Sequence, residues 1–354
     1  MTAASAPTLA IVGAGTWGTA LAQAAARAGR EVLLWDRDPA IVRAITEDRR
    51  SPRAFPDLEL EPGIRAEGDL ATVLACEVVL LVVPAQAIRG LCRSVPGARP
   101  GVVVVCAKGF ESTTDELLSA VVEAEWPGTA VACLSGPSFA AEVASGLPTA
   151  LTLGAVEPEL GARLAELLIG PHLRVYWTDD RAGVEIGGAV KNVLAIASGM
   201  VTGAGLGENA RAALVTRGLA ELARLGAAMG ARAETLMGLA GLGDLMLTAM
   251  SATSRNTAFG MALGQGRSVA EARPGCLVEG YWTARAVDRR HAARGRDTHR
   301  PRRRPHPRRP ARHRRGPGDP DAPAAACRGP RVTTLSSARS TGSRATSCIS
   351  TTSA

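Results

Sequence analysis

Between residues 8 and 150 the chain repeats one unit, a short run of Val, Leu and Ile followed by a longer stretch with apolar residues at helical spacing. The runs at 9–12, 31–35, 78–83, 102–106 and 131–134 have almost no polar interruption, as expected of strands covered on both faces. Strands alternating with amphipathic helices predict a parallel α/β sheet with helices on either side. From about residue 179 the pattern changes to long helical stretches rich in Ala, Gly and Leu, with no strand candidate before about residue 287. The expected organisation is an α/β domain over 8–178, an all-helical second domain over 179–287, and a remainder over 288–354.

The remainder has no apolar period. Its first part is dominated by Arg, Pro, Ala, Gly and His, and its last part by Ser and Thr. Such a composition buries too little surface to offset chain entropy, so disorder is expected there. It also carries the charge. Residues 288–354 hold 17 Arg and 4 Asp with no Lys or Glu, a net of +13, which leaves residues 1–287 at −5 against +8 for the chain. The basic pI therefore belongs to the tail, and a nucleic-acid role would rest on the tail alone. Seven scattered cysteines without a C-x-x-C pattern argue for reduced thiols in a cytoplasm. No signal peptide is read at the N-terminus, and no uninterrupted apolar stretch reaches about 18 residues, so no membrane span is expected.

The first chemistry-bearing motif is GAGTWG at residues 13–18, placed between a predicted strand and a predicted helix starting at Thr16. Gly13 permits a tight turn, Gly15 a close backbone approach to a pyrophosphate, and Gly18 close helix–sheet packing, while the helix N-terminus offers free N–H donors. Alone, G-x-G-x-x-G is a weak signal; here strand, turn, helix and second strand fall in register. This predicts a Rossmann-type, doubly wound dinucleotide-binding sheet, with FAD, S-adenosylmethionine or a purely structural turn as alternatives. The second strand ends in Trp35-Asp36-Arg37-Asp38. An acidic residue there favours NAD by accepting from the ribose, and an arginine favours NADP by pairing with the 2′-phosphate. Both are present, so NAD and NADP both stay open.

Two lysines stand out against 39 arginines. A lysine kept where arginine is the default cation suggests proton transfer, which guanidinium does not perform. Lys108 follows the C-terminal end of a predicted strand, where ligands of open α/β sheets bind. Lys191 lies in an otherwise uncharged helical stretch. The bland alternative is a pair of snorkelling or ion-paired lysines. After the run at 131–134, Ser135-Gly136-Pro137-Ser138 offers small residues and a hydroxyl at the same sheet edge, with Ser138 equally readable as a helix cap.

Taken together, IVGAGTWGTALA (11–22), GPSFAAEVASGLPTA (136–150), GGAVKNVLAIASG (187–199), TRGLAELARLGAAMGA (216–231), GLAGLGDLMLT (238–248) and SRN (254–256) resemble the bacterial-type NAD(P)-dependent glycerol-3-phosphate dehydrogenase family over residues 8–287. The resemblance implies interconversion of sn-glycerol 3-phosphate and dihydroxyacetone phosphate, supplying glycerol 3-phosphate for phospholipid synthesis. It implies cofactor contacts at Thr16, Trp17, Arg37, Lys108, Ala140, Arg255, Leu277 and Glu279, beside the turn glycines Gly13, Gly15 and Gly18. It implies substrate contacts at Lys108, Gly136, Ser138, Lys191, Asp244, Ser254, Arg255 and Asn256, with Lys191 as proton acceptor. No metal is implied, the partner is a small phosphate substrate, and a homodimer is a further expectation.

The chemistry agrees. A buried lysine of lowered pKa can take the hydroxyl proton during alcohol oxidation and return it to the ketone. Ser254, Arg255 and Asn256 together offer a hydroxyl, a guanidinium fork and an amide to a phosphate. Asp244 is placed to orient Lys191 or to accept from a substrate hydroxyl, with a helix cap as the plain alternative.

Two features depart from the family pattern. GRSVAEARPGCLVEG (266–280) is two residues shorter than the family's linker, and the closing helices expected after residue 287 are replaced by the Arg/Pro-rich stretch. A GC-rich gene read out of frame gives such a composition, so a frameshift near codon 288 is the expected origin of the tail. The competing functions are another dehydrogenase of the 6-phosphogluconate or 3-hydroxyacid type, a dinucleotide-binding protein without catalysis, and a nucleic-acid binder acting through the tail.

Overall fold

The computed structural model describes residues 9–272 and 278–297, with side chains to Arg289; these lie in one compact unit spanning residues 1–301. The chain runs through β1 (Leu9–Val12), α1 (Thr16–Arg27), β2 (Val32–Trp35), α2 (Pro39–Glu47), β3 (Ile64–Glu67), α3 (Leu70–Leu74), β4 (Val78–Leu81) and α4 (Ile88–Ser94). It continues through β5 (Val102–Val105), α5 (Leu118–Glu125), β6 (Ala130–Ser135), α6 (Ala140–Ala144), β7 (Thr149–Gly154), α7 (Pro158–Leu168) and β8 (Leu173–Thr178). Thereafter it is helical: α8 (Arg181–Gly203), α9 (Gly207–Ala228), α10 (Ala233–Met237), α11 (Asp244–Met250), α12 (Arg255–Gly264), α13 (Val269–Ala272) and α14 (Glu279–Asp297).

The strands form one sheet in the order β3-β2-β1-β4-β5-β6-β7-β8. Alternate side chains feed two cores. Leu9, Ile11, Leu34, Leu80 and Val104 pack with α1, α2 and α7 on one face. Ala10, Val12, Leu81, Val103 and Val105 pack with α3, α4 and α5 on the other. Residues covered on both faces explain the uninterrupted apolar runs of β1, β4 and β5. The five expected strands all form.

The structure adds three strands to the expected parallel sheet, with one antiparallel pairing among them. β7 pairs antiparallel with β6, and β8 runs parallel to β7. β3 and β8 lie at the edges, where one face stays wet, and Ile-Arg-Ala-Glu and Leu-Arg-Val-Tyr-Trp-Thr alternate accordingly. A search for continuous apolar runs passes over such strands.

The switch to helix falls where expected, with Asp180 capping α8 by accepting from the Gly183 amide at 2.9 Å. Helix α8 is long and apolar enough to cross a bilayer by length and composition, but most of that stretch is buried inside the protein. Helices α9, α10, α11, α12 and α14 all pack on it. Helix α14 continues to Asp297, ten residues past the expected boundary at 287. Its Ala and Arg content favours helix where a search for apolar periodicity finds nothing. The rest of the Arg/Pro-rich segment lies outside the described residues.

Where α8 crosses α12 the two backbones touch. A Cβ on Gly199 would overlap the carbonyl of Thr257, and one on Gly260 would overlap the carbonyl of Ile196. Gly260→Ala therefore should drive the helices apart despite the better helix propensity of alanine. Overpacking of this kind costs about 1–3 kcal/mol, so the thermal midpoint should fall by at least about 2 °C. An unchanged midpoint in a calorimetric scan would contradict the close crossing.

Candidate active site

The dinucleotide half of the site is built from β1, the turn after it and α1. Gly13 takes φ +114°, and a Cβ there would come within 2.6 Å of the Val82 carbonyl. A Cβ on Gly18 would strike the Gly13 carbonyl, whereas Gly15 faces open space. Two of the glycines thus serve packing, and the third leaves the backbone bare where a ligand can approach. The first-turn amides of Thr16, Trp17 and Gly18 have no acceptor within the helix, so they offer donors to an anion. Gly15 stands at the cap position without a side chain to satisfy them.

Beside this turn lies a cleft of about 680 Å³. Thr16, Trp17, Lys108, Ser138, Ala140, Lys191, Asp244, Ser254, Arg255, Asn256 and Glu279 all line it. Its centre is a buried ion cluster. Lys191 Nζ donates to Asp244 Oδ1 at 2.8 Å and to Thr248 Oγ at 2.7 Å. Lys108 Nζ donates to the other oxygen of Asp244 at 2.5 Å and to the Gly136 carbonyl at 3.1 Å. An ammonium has three protons, so each lysine keeps one donor for a ligand.

Burial pulls the Lys191 pKa down to about 8, helped by the charge of Lys108 and opposed by Asp244. Burial pushes Asp244 up, but the two lysines outweigh it and hold the carboxyl below the ordinary range. Two ammoniums around one carboxylate leave the cluster positively charged when all three ionise. That charge suits an anionic ligand or negative charge developing on an oxygen.

The helix starts complete the cleft. Ser254 caps α12, accepting from the Thr257 amide at 3.3 Å. Asn256 donates to Asn192 Oδ1 at 2.9 Å and accepts from the Gly280 amide at 3.1 Å, tying α12 to α8 and α14. Arg255 stays exposed at the rim, where its charge offsets part of the rise that burial gives the Glu279 pKa. Glu279 Oε1 accepts from the Ala85 amide at 3.2 Å. Its Oε2 is buried without a partner among the described residues, an acceptor of the kind a carboxamide N–H satisfies. Burial raises the Glu279 pKa. The bare Gly15 turn and this orphaned oxygen fit the pyrophosphate and the carboxamide of a nicotinamide dinucleotide.

The expected residues divide between those that line the cleft and those that lie outside it. Gly13, Gly15, Gly18 and Gly136 do not line the cleft; Gly136 acts through its carbonyl, which accepts from Lys108 and also from Ser138 Oγ at 3.2 Å. Ser138 does not cap α6, whose N-cap is Phe139. Asp244 is no cap either, since it sits inside the first turn of α11 with its carboxylate on the lysines. Arg37 lies exposed at the end of β2, away from the cleft lining. Leu277 lies outside the described residues. Thr248 and Asn192 were missed by sequence reasoning. Both were within reach, Thr248 as the residue four after Asp244 on one helical face and Asn192 as the neighbour of Lys191.

A doubly wound sheet with a dinucleotide turn, followed by helices that bring a buried lysine to the same cleft, defines a nicotinamide-dependent dehydrogenase. Comparison with known proteins narrows the class. The profile of the NAD-dependent glycerol-3-phosphate dehydrogenase N-terminus matches residues 8–160, and that of the C-terminus matches residues 180–299. The chain belongs to the NAD-dependent glycerol-3-phosphate dehydrogenase family. It is 55% identical over 288 residues to a glycerol-3-phosphate dehydrogenase [NAD(P)+] of Methylobacterium radiotolerans, covering 80% of this chain and 87% of that one. The crystal structure of a glycerol-3-phosphate dehydrogenase from Coxiella burnetii superposes with a TM-score of 0.74 at 40% identity, covering 82% of this chain and 90% of that one. One from Saccharomyces cerevisiae gives 0.73 at 26% identity, covering 81% and 90%.

Removing the shared anion tests the cluster. In Asp244→Asn the Lys191 pKa should fall below about 8, because the attraction opposing burial is gone. The variant's added instability is then present below that lowered pKa and vanishes as pH rises through the wild-type value. Denaturant titrations at about pH 7 and about pH 9.5 should show a deficit against wild type that shrinks at the higher pH. An equal deficit at both would mean that Asp244 does not hold a titrating lysine.

Proposed function

We propose that the chain interconverts sn-glycerol 3-phosphate and dihydroxyacetone phosphate at this cleft, with Lys191 as the proton acceptor and donor. The observation that carries the assignment is the buried Lys191–Asp244–Lys108 cluster, with one ammonium donor of Lys191 left over. A bound nicotinamide dinucleotide supplies the hydride acceptor or donor. Lys191, neutral in an appreciable fraction with a pKa of about 8, takes the proton from the secondary hydroxyl in oxidation and returns it to the carbonyl oxygen in reduction. Asp244 and Thr248 fix its position. Lys108 holds positive charge beside the oxygen on which negative charge develops. Arg255 and Asn256, with the Ser254 cap that sets their helix start, receive the phosphate.

In this reading Thr16, Trp17, Ala140 and Glu279 belong to the cofactor side of the cleft, and Ser138 to the substrate side. A 3-hydroxyacid substrate would have no use for a phosphate grip at the start of α12, and the family match weighs against a 6-phosphogluconate dehydrogenase. We place the enzyme in the cytoplasm, as a source of glycerol 3-phosphate for phospholipid synthesis. Free thiols at Cys76, Cys92, Cys106 and Cys133 support a reducing compartment.

Lys191→Arg should keep the charge and dinucleotide binding but lose turnover by about 100-fold or more. In the wild type, kcat/KM for glycerol 3-phosphate oxidation should rise with pH through about 8 as Lys191 loses its proton. A variant with near wild-type turnover, or a flat profile, would remove Lys191 from proton transfer. Arg255→Ala should weaken turnover of dihydroxyacetone phosphate far more than turnover of dihydroxyacetone. Equal losses on the two would assign Arg255 to the cofactor or the fold.

A further inference from the structure

The end of the second strand is where a dinucleotide sheet reads the adenosine ribose, a free carboxylate favouring the 2′-hydroxyl and an arginine the 2′-phosphate. The chain has both, and the structure separates their roles. Asp36 is buried, 5% exposed. Its Oδ1 accepts from the Asp38 amide at 3.0 Å and its Oδ2 forms an ion pair with Arg53. Asp38 is also committed, capping α2 by accepting from the Ala40 amide at 2.9 Å. Arg37 is exposed and makes no hydrogen bond or ion pair among the described residues.

Arg53 is held in place by its own loop. Ser51 and Phe55 form a bridge around it, and Phe55 and Leu58 pack with Trp17, Ala20 and Val143. From there Arg53 also reaches the Ala14 carbonyl, inside the glycine turn, at 3.4 Å. Its side chain remains 46% exposed, so other guanidinium donors still face solvent.

We propose that Arg53 sets the selectivity of this mouth for the 2′-phosphorylated dinucleotide, leaving Arg37, already expected from the resemblance as a cofactor contact, to pair with the phosphate. Arg53 does two things at once. It occupies the carboxylate that would accept from a 2′-hydroxyl, and it neutralises the charge that would repel a 2′-phosphate. With Asp36 neutralised by Arg53 and Asp38 balanced by the α2 N-terminus, the charge of Arg37 is left for the ligand. The proposal rests on the dinucleotide reading of the glycine turn.

The test is direct binding to the full-length protein without substrate, followed by nicotinamide fluorescence, with 2′,5′-ADP and 5′-ADP as competitors. Wild type should bind NADPH more tightly than NADH, and 2′,5′-ADP should compete better than 5′-ADP. Arg37→Ala should weaken NADPH by about tenfold or more, the loss of a charge-assisted contact, and leave NADH within about threefold. Arg53→Ala should weaken NADPH and tighten NADH by freeing Asp36; a thermal scan confirms that each variant is folded. NADH binding as tightly as NADPH in the wild type, or equal losses for both in Arg37→Ala, would overturn the selectivity while leaving the glycine turn in place. Failure of both dinucleotides to bind would overturn the reading of the turn itself. If Arg53→Ala weakens NADPH but does not tighten NADH, the masking role of Arg53 is wrong.

Discussion

One carboxylate holds the catalytic end of this molecule together. Asp244 is 1% exposed and takes both of the chain's lysines, one on each oxygen. A buried charge survives only with compensation, and here the compensation comes from two different parts of the fold. Lys108 leaves the sheet just beyond β5, and Lys191 comes from the middle of α8. Without Asp244 the two ammoniums would face each other with no carboxylate between them. With it, the sheet and the helices are joined at the place where the proposed reaction would need a base and a positive charge side by side.

Precision at that point depends on how closely the helices approach. Helix α8 carries Lys191 and Asn192, α11 carries Asp244 and Thr248, and α12 begins with Arg255 and Asn256. The glycine-lined crossing of α8 and α12 brings these starts within hydrogen-bond reach, as the Asn192–Asn256 bond at 2.9 Å records. The π-helical turn at Leu239–Gly243 leads straight into Asp244, and a Cβ on Gly187 of α8 would come within 2.8 Å of the Ala240 carbonyl in that turn. Small residues on α8 are therefore part of the machinery, because they set the distance from Lys191 to its anion.

At the other end of the cleft the same economy appears in the dinucleotide turn. Gly13 and Gly18 are required by packing against Val82 and against each other, and only Gly15 is open to a ligand. The motif is one string in the sequence, yet its three glycines do different physical work.

Much of this was legible before any coordinates. The apolar runs of β1, β2, β4, β5 and β6, the glycine turn and the change to helix near residue 179 follow from local periodicity, because buried parallel strands and amphipathic helices leave periodic marks. The rarity of lysine singled out Lys108 and Lys191, since arginine fills every generic cationic position. Edge strands β3 and β8 and the reversed β7 escaped, because a half-wet strand need not be a continuous apolar run. Helix α14 beyond residue 287 escaped because Arg and Ala form helix without an apolar stripe. The sequence by itself thus determined the sheet-then-helix order, the glycine turn and most of the residues that gather at the cleft. Only the tertiary structure decided that Asp244 answers both lysines, that Thr248 and Asn192 complete their surroundings, and that Asp36 pairs with Arg53. Those pairings join residues 17 to 136 positions apart, and a contact of that kind depends on how elements pack, which no local pattern encodes.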